Sequence, residues 1–520
     1  MFPTNQIVRL SIMRFFSWKN KSNINLLSYS KCKSPKKFVI SDNFLISIWI
    51  ILPSKQRQFQ LYKNNLSYYY FYYWCLIFGA KKYSIIKNYR LKNINLGPFL
   101  TFAFYYQYIV FLFRRLPSEA ERASVTRLIS TLHKKVCSIR QPIGVNIYGY
   151  AYGELGIGED IRQVAVALQS QGIPVCILNF KPGSNISQAD RTADPLIVTN
   201  PKYGINIFCM TGIETTRYVC EKGLSALEGR YNIGLWPWEL PDWPESCRHA
   251  YACVDEVWGI SQYTAHAHRH AAPRPVIPMG LPVVLGPLGT QTRKDFGLPS
   301  EAYLFYFAFD INSNAARKNP EGLIKAFQMA FPKEGKDQVG LVLKISHPET
   351  GCKLWSKIRK IARRDKRIHL IEKTMRRPEL LALFNACDCL VSLHRAEGFG
   401  RCIAEALLLD KQVIATGFSG NLDFCHEPRV ALVRHTMRSV EAKDYMWGEG
   451  QQWAEPDLDH AAELMRSIRK APREVGAGNC DFSLDSVGQR YKSRLEEIWH
   501  QYAAKPLEEA LEHRTSNIEY

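Results

Sequence analysis

The feature that most constrains the fold is a glycine-rich turn that separates a short apolar run from an amphipathic helical pattern. The apolar run covers residues 143–148, and the turn, residues 149–158, holds four glycines. Apolar residues then recur at the i, i+3, i+4, i+7 spacing of a helix, at Ile161, Val164, Ala165 and Leu168. A second apolar run at residues 175–178 completes the order strand, turn, helix, strand, which predicts a βαβ unit with parallel strands.

The same alternation continues along the chain and divides it into two units. In the first unit, residues 205–210 and 231–235 predict strands and residues 244–254 predict a helix. A turn-rich linker at residues 286–292 precedes the second unit. Its predicted elements are strands at 303–309, 341–346, 389–393 and 412–415, helices at 378–387 and 401–409, and a helix that Asn319 caps and Pro320 begins.

This order of elements predicts an α/β fold of two facing, doubly wound, Rossmann-like domains, and the cleft between them is the expected ligand site. We place a basic, aromatic-rich leader at residues 1–118 and the N-terminal domain at 119–285. The C-terminal domain then covers 286–485, and residues 486–520 form a C-terminal helix and tail. A chain of 520 residues is long enough for this arrangement.

The positive charge of the chain is concentrated in the leader. Residues 1–115 hold 12 Lys, 6 Arg and a single acidic residue, Asp42, so they account for +17 of the formal net charge of +20. Because no nucleic-acid-binding motif accompanies this charge, we expect no nucleic-acid partner. The 14 cysteines are scattered, which excludes a disulfide scaffold and indicates a reducing, cytoplasmic location.

Three apolar runs in the leader, at residues 44–52, 68–80 and 99–113, are shorter than the roughly 18–20 residues that a spanning helix needs. Aromatic and basic residues beside such runs are typical of a segment that lies on an anionic membrane surface. This interpretation predicts peripheral attachment to the inner face of the cell membrane. Two alternatives are a poorly ordered leader and a start site assigned too far upstream.

The stretch from Glu397 to Glu405, Glu-Gly-Phe-Gly-Arg-Cys-Ile-Ala-Glu, follows a predicted strand and begins a predicted helix. Gly398 and Gly400 allow backbone N–H groups to approach a ligand, and a helix N-terminus favours phosphate. An ionised carboxylate only accepts hydrogen bonds, which suits the diol of a ribose or a sugar ring. The alternative is that Glu397 is an exposed loop residue and Glu405 lies on the surface of a helix.

Two other loops follow strands of the second unit. One carries the adjacent cations Arg317 and Lys318, which suit a diphosphate, although solvated surface charge is the alternative. The other is Thr416-Gly-Phe-Ser-Gly-Asn421, a glycine-containing loop. Because the carboxyl ends of parallel strands share one edge of a sheet, all three loops are expected at the ligand site.

Together these residues resemble glycosyltransferase family 4, whose members are retaining nucleotide-sugar transferases of GT-B fold. The spacing from Glu397 to Glu405 matches the Glu-x7-Glu signature of that family, and the resemblance covers about residues 142–502. It is closest to a bacterial subgroup with Gly-Ile-Gly-Glu at residues 156–159, Trp-Glu at 238–239 and Arg-Lys-Asn-Pro at 317–320.

The resemblance implies roles for the residues that match. Glu405 would hold the nucleotide ribose, Glu397 would contact the donor sugar, and Arg317 and Lys318 would stabilise the departing diphosphate. The other implied donor-binding residues are Gly398, Phe399, Gly400, Gly156, Gly158, Ser419, Gly420 and Asn421. The acceptor side departs from the family, because no His follows the strand at 231–235. Glu239, Trp238 and His394 are the remaining candidates there.

The resemblance implies transfer of a hexose, with mannose as one option, from a nucleoside diphosphate to a glycan or lipid-linked acceptor in bacterial surface polysaccharide synthesis. It favours attack on the face from which the diphosphate departs, with a phosphate oxygen taking the acceptor proton. No metal or other cofactor is implied. The alternatives are another GT-B enzyme, such as an epimerase or phosphorylase, and a non-catalytic, membrane-attached glycan-binding protein.

Three other patterns could indicate metal ligands, and for each we favour a structural explanation. Asp457-Leu-Asp459 precedes a predicted helix at residues 461–470, which favours a helix cap. The pair Cys387 and Cys389 has no second pair, so zinc is not indicated. The alternating His266, His268 and His270 are expected to be surface residues.

Overall fold

The structure is a computed structural model. It describes residues 139, 141–182, 186–222, 226–311, 313–335, 337–346, 353–373, 375–441, 444–470 and 481–502. Apart from residues 216–222, these belong to one compact unit. The leader and its three apolar runs lie outside the described residues. No helix among the described residues is both long and apolar enough to cross a membrane.

The first sheet consists of six parallel strands in the order β2-β1-β3-β4-β5-β6. Its strands are β1 (Val145–Gly149), β2 (Val175–Asn179), β3 (Ile205–Cys209), β4 (Tyr231–Trp236), β5 (Glu256–Gly259) and β6 (Val276–Pro278). The helices of this part are α1 (Gly156–Ser170), α2 (Gly212–Lys222) and α3 (Gln262–Arg269). The direction of strand progression reverses between β1 and β3, which opens a crevice at their carboxyl ends.

The second sheet also has six parallel strands, in the order β12-β11-β10-β7-β8-β9. They are β7 (Tyr303–Asp310), β8 (Val339–Ser346), β9 (Ile368–Ile371), β10 (Cys389–Ser392), β11 (Gln412–Thr416) and β12 (Val430–Val433). The helices here are α4 (Pro320–Ala330), α5 (Lys353–Arg364), α6 (Arg377–Asn385) and α7 (Arg401–Leu408), and a single turn, Ala315–Lys318, precedes α4. The order reverses between β7 and β10.

An antiparallel pair, β13 (His435–Ser439) and β14 (Gln452–Pro456), follows the second sheet, and helices α8 (Leu458–Lys470) and α9 (Leu484–Tyr502) come after it. The predicted fold class, an α/β protein with two doubly wound domains, is therefore confirmed. In such sheets ligands bind outside the carboxyl ends of the strands at the point of reversal. In the second sheet, that point receives the loops after β7 and β10.

The segment at residues 244–254 was expected to be a helix, and the structure has a helix of the tighter kind there. It forms a 3₁₀-helix, Glu245–Cys253. Its N–H groups bond to carbonyls three residues earlier, as from Cys247 to Pro244 and from Val254 to Tyr251. Spacing of apolar residues alone does not distinguish this tighter helix from an α-helix.

The second sheet is buried on both faces, as parallel sheets are. Leu304 and Tyr306 of β7 join a core that extends to the first sheet, whereas Phe305, Phe307 and Phe309 join a separate core on the opposite face. This alternation follows from the two-residue period of a strand. It explains why β7 is an almost continuous apolar run in the sequence.

A buried ladder of asparagines crosses the first sheet near the amino ends of its strands. The Nδ2 atom of Asn146 donates to Oδ1 of Asn206 at 2.9 Å, and Nδ2 of Asn206 donates to Oδ1 of Asn232 at 2.8 Å. Nδ2 of Asn206 also donates to the carbonyl of Ala226 at 3.0 Å. All three asparagines are at most 1% exposed.

Replacing Asn206 with alanine is therefore expected to lower the free energy of unfolding by about 2 kcal/mol, since it leaves the buried Oδ1 of Asn232 and the partly buried carbonyl of Ala226 without their donor. Thermal unfolding of the variant measures this loss. Asn200→Ala is the matched control, because Asn200 is exposed. Equal melting temperatures for the two variants would contradict the role assigned to the ladder.

Candidate functional site

Two asparagines shape the loop that follows β7. Asn314 and Asn319 both have left-handed backbone conformations, with φ of 64° and 52°, which asparagine tolerates better than most residues. The Asn314 side chain accepts a hydrogen bond from the N–H of Arg317 at 3.0 Å, and Asn319 caps α4 through the N–H of Gly322. These caps fix the short turn that carries Arg317 and Lys318.

Arg317 is buried, with 3% of its surface exposed, and its guanidinium faces two carboxylates. Its Nη1 lies 3.0 Å from Oε2 of Glu397, and its Nη2 lies 3.2 Å from Oε1 of Glu239. Nη1 also donates to the carbonyl of Ala396 at 2.8 Å. Burial alone would lower the pKa of Arg317, but Glu239 and Glu397 raise it, so the guanidinium stays charged.

Glu397 lies in the loop after β10 and is 8% exposed. Its Oε1 accepts a short hydrogen bond from Nζ of Lys318. Burial alone would raise the pKa of Glu397, but Lys318 and Arg317 outweigh it and lower the pKa to about 2. The structure therefore brings Arg317, Lys318 and Glu397 together, with the carboxylate ionised.

Glu239 reaches this cluster from the loop after β4 of the first sheet. In addition to its ion pair with Arg317, its Oε2 accepts a short hydrogen bond from the hydroxyl of Tyr445. Neighbouring Trp238 is 4% exposed, and its indole donates to the carbonyl of Asp242 at 2.9 Å. Glu239 thus lies beside the predicted donor residues, whereas the Trp238 ring packs against Trp243, Tyr445 and Trp447.

The loop from Glu397 to Gly400 is held against the first sheet by its backbone. The carbonyl of Gly398 accepts hydrogen bonds from Oγ of Ser261 at 2.6 Å and Oγ1 of Thr264 at 3.1 Å, both at the start of α3. A β-carbon at Gly398 would lie 2.8 Å from the carbonyl oxygen of Trp238, so a larger residue does not fit. Phe399 is buried beside Phe424 and Phe482.

Gly400 begins α7 with φ of 97°, a conformation that favours glycine. As a glycine, Gly400 has no side chain with which to cap this helix end. An uncapped helix N-terminus presents N–H groups and a partial positive charge to an anion. It lies at the point where the order of the second sheet reverses.

The loop after β11 packs against the same segment. Oγ of Ser419 accepts from the N–H of Glu397 at 2.8 Å, and the N–H of Gly420 donates to the carbonyl of Glu397 at 2.9 Å. Asn421 is fully buried, and its Oδ1 accepts a hydrogen bond from Nε2 of His394 at 3.0 Å. These residues therefore support the Glu397 loop from behind.

His394 is fully buried, and both of its ring nitrogens have partners. Nδ1 lies 3.0 Å from Oγ of Ser392, and Nε2 lies 3.2 Å from the carbonyl of Phe418. Burial lowers its pKa, which favours the neutral ring. This environment is that of a packed histidine.

Glu405 lies inside α7, 1% exposed, and was expected either to hold a ligand or to lie on the surface. The structure excludes the surface position. Oε1 of Glu405 is 2.5 Å from Nη2 of Arg377, the first residue of α6. Nε of Arg377 is 3.9 Å from Glu159, so Arg377 links the second sheet to the start of α1.

The glycine-rich turn after β1 lies at the reversal point of the first sheet. A β-carbon at Gly158 would come within 2.2 Å of the carbonyl oxygen of Gly153, whereas one at Gly156 would meet open space. Just beyond, Arg401 donates two hydrogen bonds to residues of α1. Its Nε donates to Oδ1 of Asp160 at 2.9 Å, and its Nη1 donates to Oε1 of Gln163 at 2.9 Å. The N-termini of α1 and α7 are thus tied together by a buried ion pair.

The residues of the three other patterns lie in different environments. Asp457 caps α8, since its Oδ1 accepts from the N–H of His460 at 3.0 Å. Cys387 and Cys389 are both buried. His268 was expected on the surface, which is wrong: it is fully buried because it lies on the inner face of α3, where its Nδ1 is 2.9 Å from the hydroxyl of Tyr251. His266 and His270 are exposed.

Sequence reasoning missed Arg377, Arg401 and Tyr445. Both arginines are the first residues of helices, where a cation is unfavourable with the helix dipole. That unfavourable placement was a usable signal, because it indicates a carboxylate partner nearby. Tyr445 gave no such signal, since its partner Glu239 lies 206 residues away in the chain.

Comparisons with known proteins gave similar structures only. No protein-family model matches the chain, and no curated protein matches it. HepE from Anabaena, solved with UDP, is 14% identical, covering 71% of this chain and 100% of that one with a TM-score of 0.42. Sucrose-phosphate synthase from Thermosynechococcus elongatus is 16% identical, covering 72% and 99%, with a TM-score of 0.45. The pneumococcal O-GlcNAc transferase GtfA, solved with UDP and GlcNAc, is 15% identical, covering 57% of each chain, with a TM-score of 0.36.

Proposed function

We propose that the chain is a retaining glycosyltransferase similar to family 4, which moves a sugar from a nucleoside diphosphate to a hydroxyl of a glycan or lipid-linked acceptor. One observation supports this most directly. Arg317 and Lys318 converge on ionised Glu397 beside the uncapped N-terminus of α7, where the order of the second sheet reverses. Cations, helix-end N–H groups and a carboxylate in one place suit a diphosphate attached to a sugar.

In this proposal each group acts on a different part of the donor. The N–H groups at the start of α7 and the cations Arg317 and Lys318 stabilise the negative charge that develops on the departing diphosphate. Glu397 contacts the donor sugar, and Glu405, one turn inside α7, holds the ribose. Glu239 lies on the acceptor side of Arg317.

The bond changes follow from front-face attack. The bond between the sugar C1 and the phosphate oxygen breaks, and its electron pair leaves with the diphosphate. The acceptor hydroxyl oxygen forms the new bond to C1 on the same face, and its proton passes to a phosphate oxygen. We propose that this transfer needs no divalent metal, because protein cations and helix-end N–H groups face the leaving group.

A thermal-shift screen against UDP, GDP, ADP and their sugars tests the proposal. A ligand at 100 times its Kd is expected to stabilise the protein by about 2.7 kcal/mol. The nucleotide-sugar that binds is then supplied with candidate acceptors in EDTA, and release of nucleoside diphosphate is followed. Binding of none of these nucleotides would overturn the proposal, and activity that is lost in EDTA and restored by Mg²⁺ would overturn the metal-free step.

We further propose a cytoplasmic location and a role in bacterial surface polysaccharide synthesis. Attachment of the leader to a membrane surface would bring the site close to lipid-linked acceptors. Binding of the full chain to vesicles of anionic and neutral lipids, compared with a chain that begins at Glu119, tests this part.

A further inference from the structure

The two cations expected to hold the diphosphate are already neutralised by carboxylates. Arg317 pairs with Glu239 and Glu397, and Lys318 pairs with Glu397. Two positive and two negative groups give this cluster no net charge. The partial positive charge at the start of α7 then remains, and a further cation would strengthen the binding of a doubly or triply charged diphosphate.

The two arginines at the neighbouring helix starts do not supply that further cation. Arg377 pairs with Glu405, and Arg401 pairs with Asp160. Each of these cations therefore has a carboxylate partner within the protein.

Lys344 of β8 is different. It is 6% exposed, and its Nζ donates to the hydroxyl of Ser346 at 2.6 Å. Within the part of the chain that the structure describes, this neutral hydroxyl is its single hydrogen-bond partner, and it has no ion pair. An ammonium carries three donors, and a buried unpaired charge is costly. Burying the Lys344 ammonium therefore lowers the stability of the fold, and a bound anion would offset that loss of free energy.

The position of Lys344 places it at the same edge of the sheet as the cluster. β8 is the neighbour of β7, and Ser346 is in register with Asp310, from which the loop to Lys318 departs. Because residues i and i+2 share a face of a strand, the bond to Ser346 directs the Lys344 ammonium towards the carboxyl end of β8. Val342, two residues before Lys344 on this face, belongs to the core that also contains residues of α7.

Electrostatic neighbours support this placement. Burial lowers the pKa of Lys344, and Asp310, Cys402 and Glu154 partly oppose this effect. Cys402 is the second residue of α7. Burial raises the pKa of its thiol, Glu405 and Glu397 raise it further, and Lys318 lowers it. Cys402 at the start of α7 therefore lies within electrostatic range of Lys344 and of the predicted donor residues.

We propose that Lys344 binds the diphosphate of the nucleotide-sugar as a third cation and supplies the positive charge that the ion-paired Arg317 and Lys318 lack. This inference rests on the proposed function. It assigns the diphosphate, and not the nucleoside, as the part of the donor that Lys344 recognises.

The test compares Lys344→Met with Lys344→Arg, using calorimetry with whichever of UDP, GDP and ADP binds the wild type most tightly and with the corresponding nucleoside. Lys344→Met is expected to weaken diphosphate binding tenfold or more and to leave nucleoside binding unchanged. Lys344→Arg is expected to retain most of the affinity for the diphosphate. Lys357→Met is the matched control, since Lys357 is 63% exposed in its side chain and should bind as the wild type does.

A second measurement separates ligand binding from a structural role. If Lys344 serves only to hold Ser346, then Lys344→Met and Ser346→Ala should both lower the melting temperature of the unliganded protein. We expect instead that Lys344→Met melts at or above the wild-type temperature, because it removes an unpaired buried charge. Ser346→Ala should keep diphosphate affinity within a few-fold of the wild type.

The outcomes distinguish this inference from the proposed function. If the wild type binds a nucleoside diphosphate and Lys344→Met binds it equally well, the inference alone is wrong. Equal losses for diphosphate and nucleoside would also overturn it. If the wild type binds none of the nucleotides, both proposals are wrong. Should Lys344→Met not fold, Lys344→Gln, which keeps a polar group beside Ser346, replaces it in each comparison.

Discussion

Replacing Glu397 with glutamine is expected to lower turnover about 100-fold and to leave the affinity for free nucleoside diphosphate within a few-fold of the wild-type value. The carboxylate is ionised and held by Arg317 and Lys318 at the edge of the sheet, in the loop that precedes the helix end proposed to bind phosphate. A contact to the donor sugar strengthens as the sugar becomes cationic, so its loss appears in the chemical step.

Glu405→Gln is the informative partner of this variant. Glu405 lies one turn inside α7, where it is expected to contact the ribose, so its replacement should weaken free nucleotide and nucleotide-sugar alike. The expected loss is about tenfold to 150-fold, the effect of removing a charged partner of a hydroxyl. Glutamine retains an oxygen that can accept from Arg377, which limits the damage to the protein itself.

Calorimetry with nucleoside diphosphate and single-turnover kinetics with the nucleotide-sugar separate the two effects. Thermal unfolding establishes that both variants are folded. The assignment of the two glutamates fails if both variants lose the same affinity for free nucleotide. It also fails if Glu397→Gln turns over as fast as the wild type.

Much of this arrangement could be predicted from the sequence because it is local. The β7 run, the Asn319–Pro320 helix start and the glycines before α7 each act within a few residues, and the structure places all of them as expected. Parallel strands then bring the loops after β7 and β10 to one edge. The clustering of Arg317 and Lys318 with Glu397 follows from that topology alone.

The pairings across the two sheets could not be predicted in this way. Glu239 reaches Arg317, and Arg401 reaches Asp160, only after both domains have folded and docked. The strands β5, β6, β9 and β12, which have three or four residues each, were also missed. Such short runs give little periodicity to recognise, although β10, which is equally short, was predicted.

Helix α9 is the clearest case of a long-range element, and a buried ion pair fixes it. Gly488 of α9 packs so closely on α1 that a β-carbon there would lie 2.9 Å from the carbonyl oxygen of Ala167. Arg494 of α9 forms an ion pair with Glu256, a fully buried residue of β5, and its Nη2 lies 2.6 Å from Oε2 of that glutamate. The helix thus belongs to the first sheet, although it follows the second in the chain.

Arg494→Ala is therefore expected to lower the free energy of unfolding by about 3 kcal/mol, because it leaves the Glu256 carboxylate buried without its cation. Tyr231 and Trp258 still donate to that carboxylate, at 3.0 and 2.6 Å, which places the loss at the lower end for a broken buried pair. For a domain of this size the melting temperature should fall by about 6–12 °C.

Further variants test whether the loss of stability in Arg494→Ala comes from the lost positive charge of the arginine. Glu497→Gln removes only the exposed partner of Arg494 and should cost less than about 1 kcal/mol. The double variant Arg494→Met with Glu256→Gln should recover part of the loss, since it removes the buried charge together with its partner. If Arg494→Met alone costs as little as Glu497→Gln, the arginine acts through packing of its alkyl chain against the first sheet, and the ion pair does not hold α9 in place.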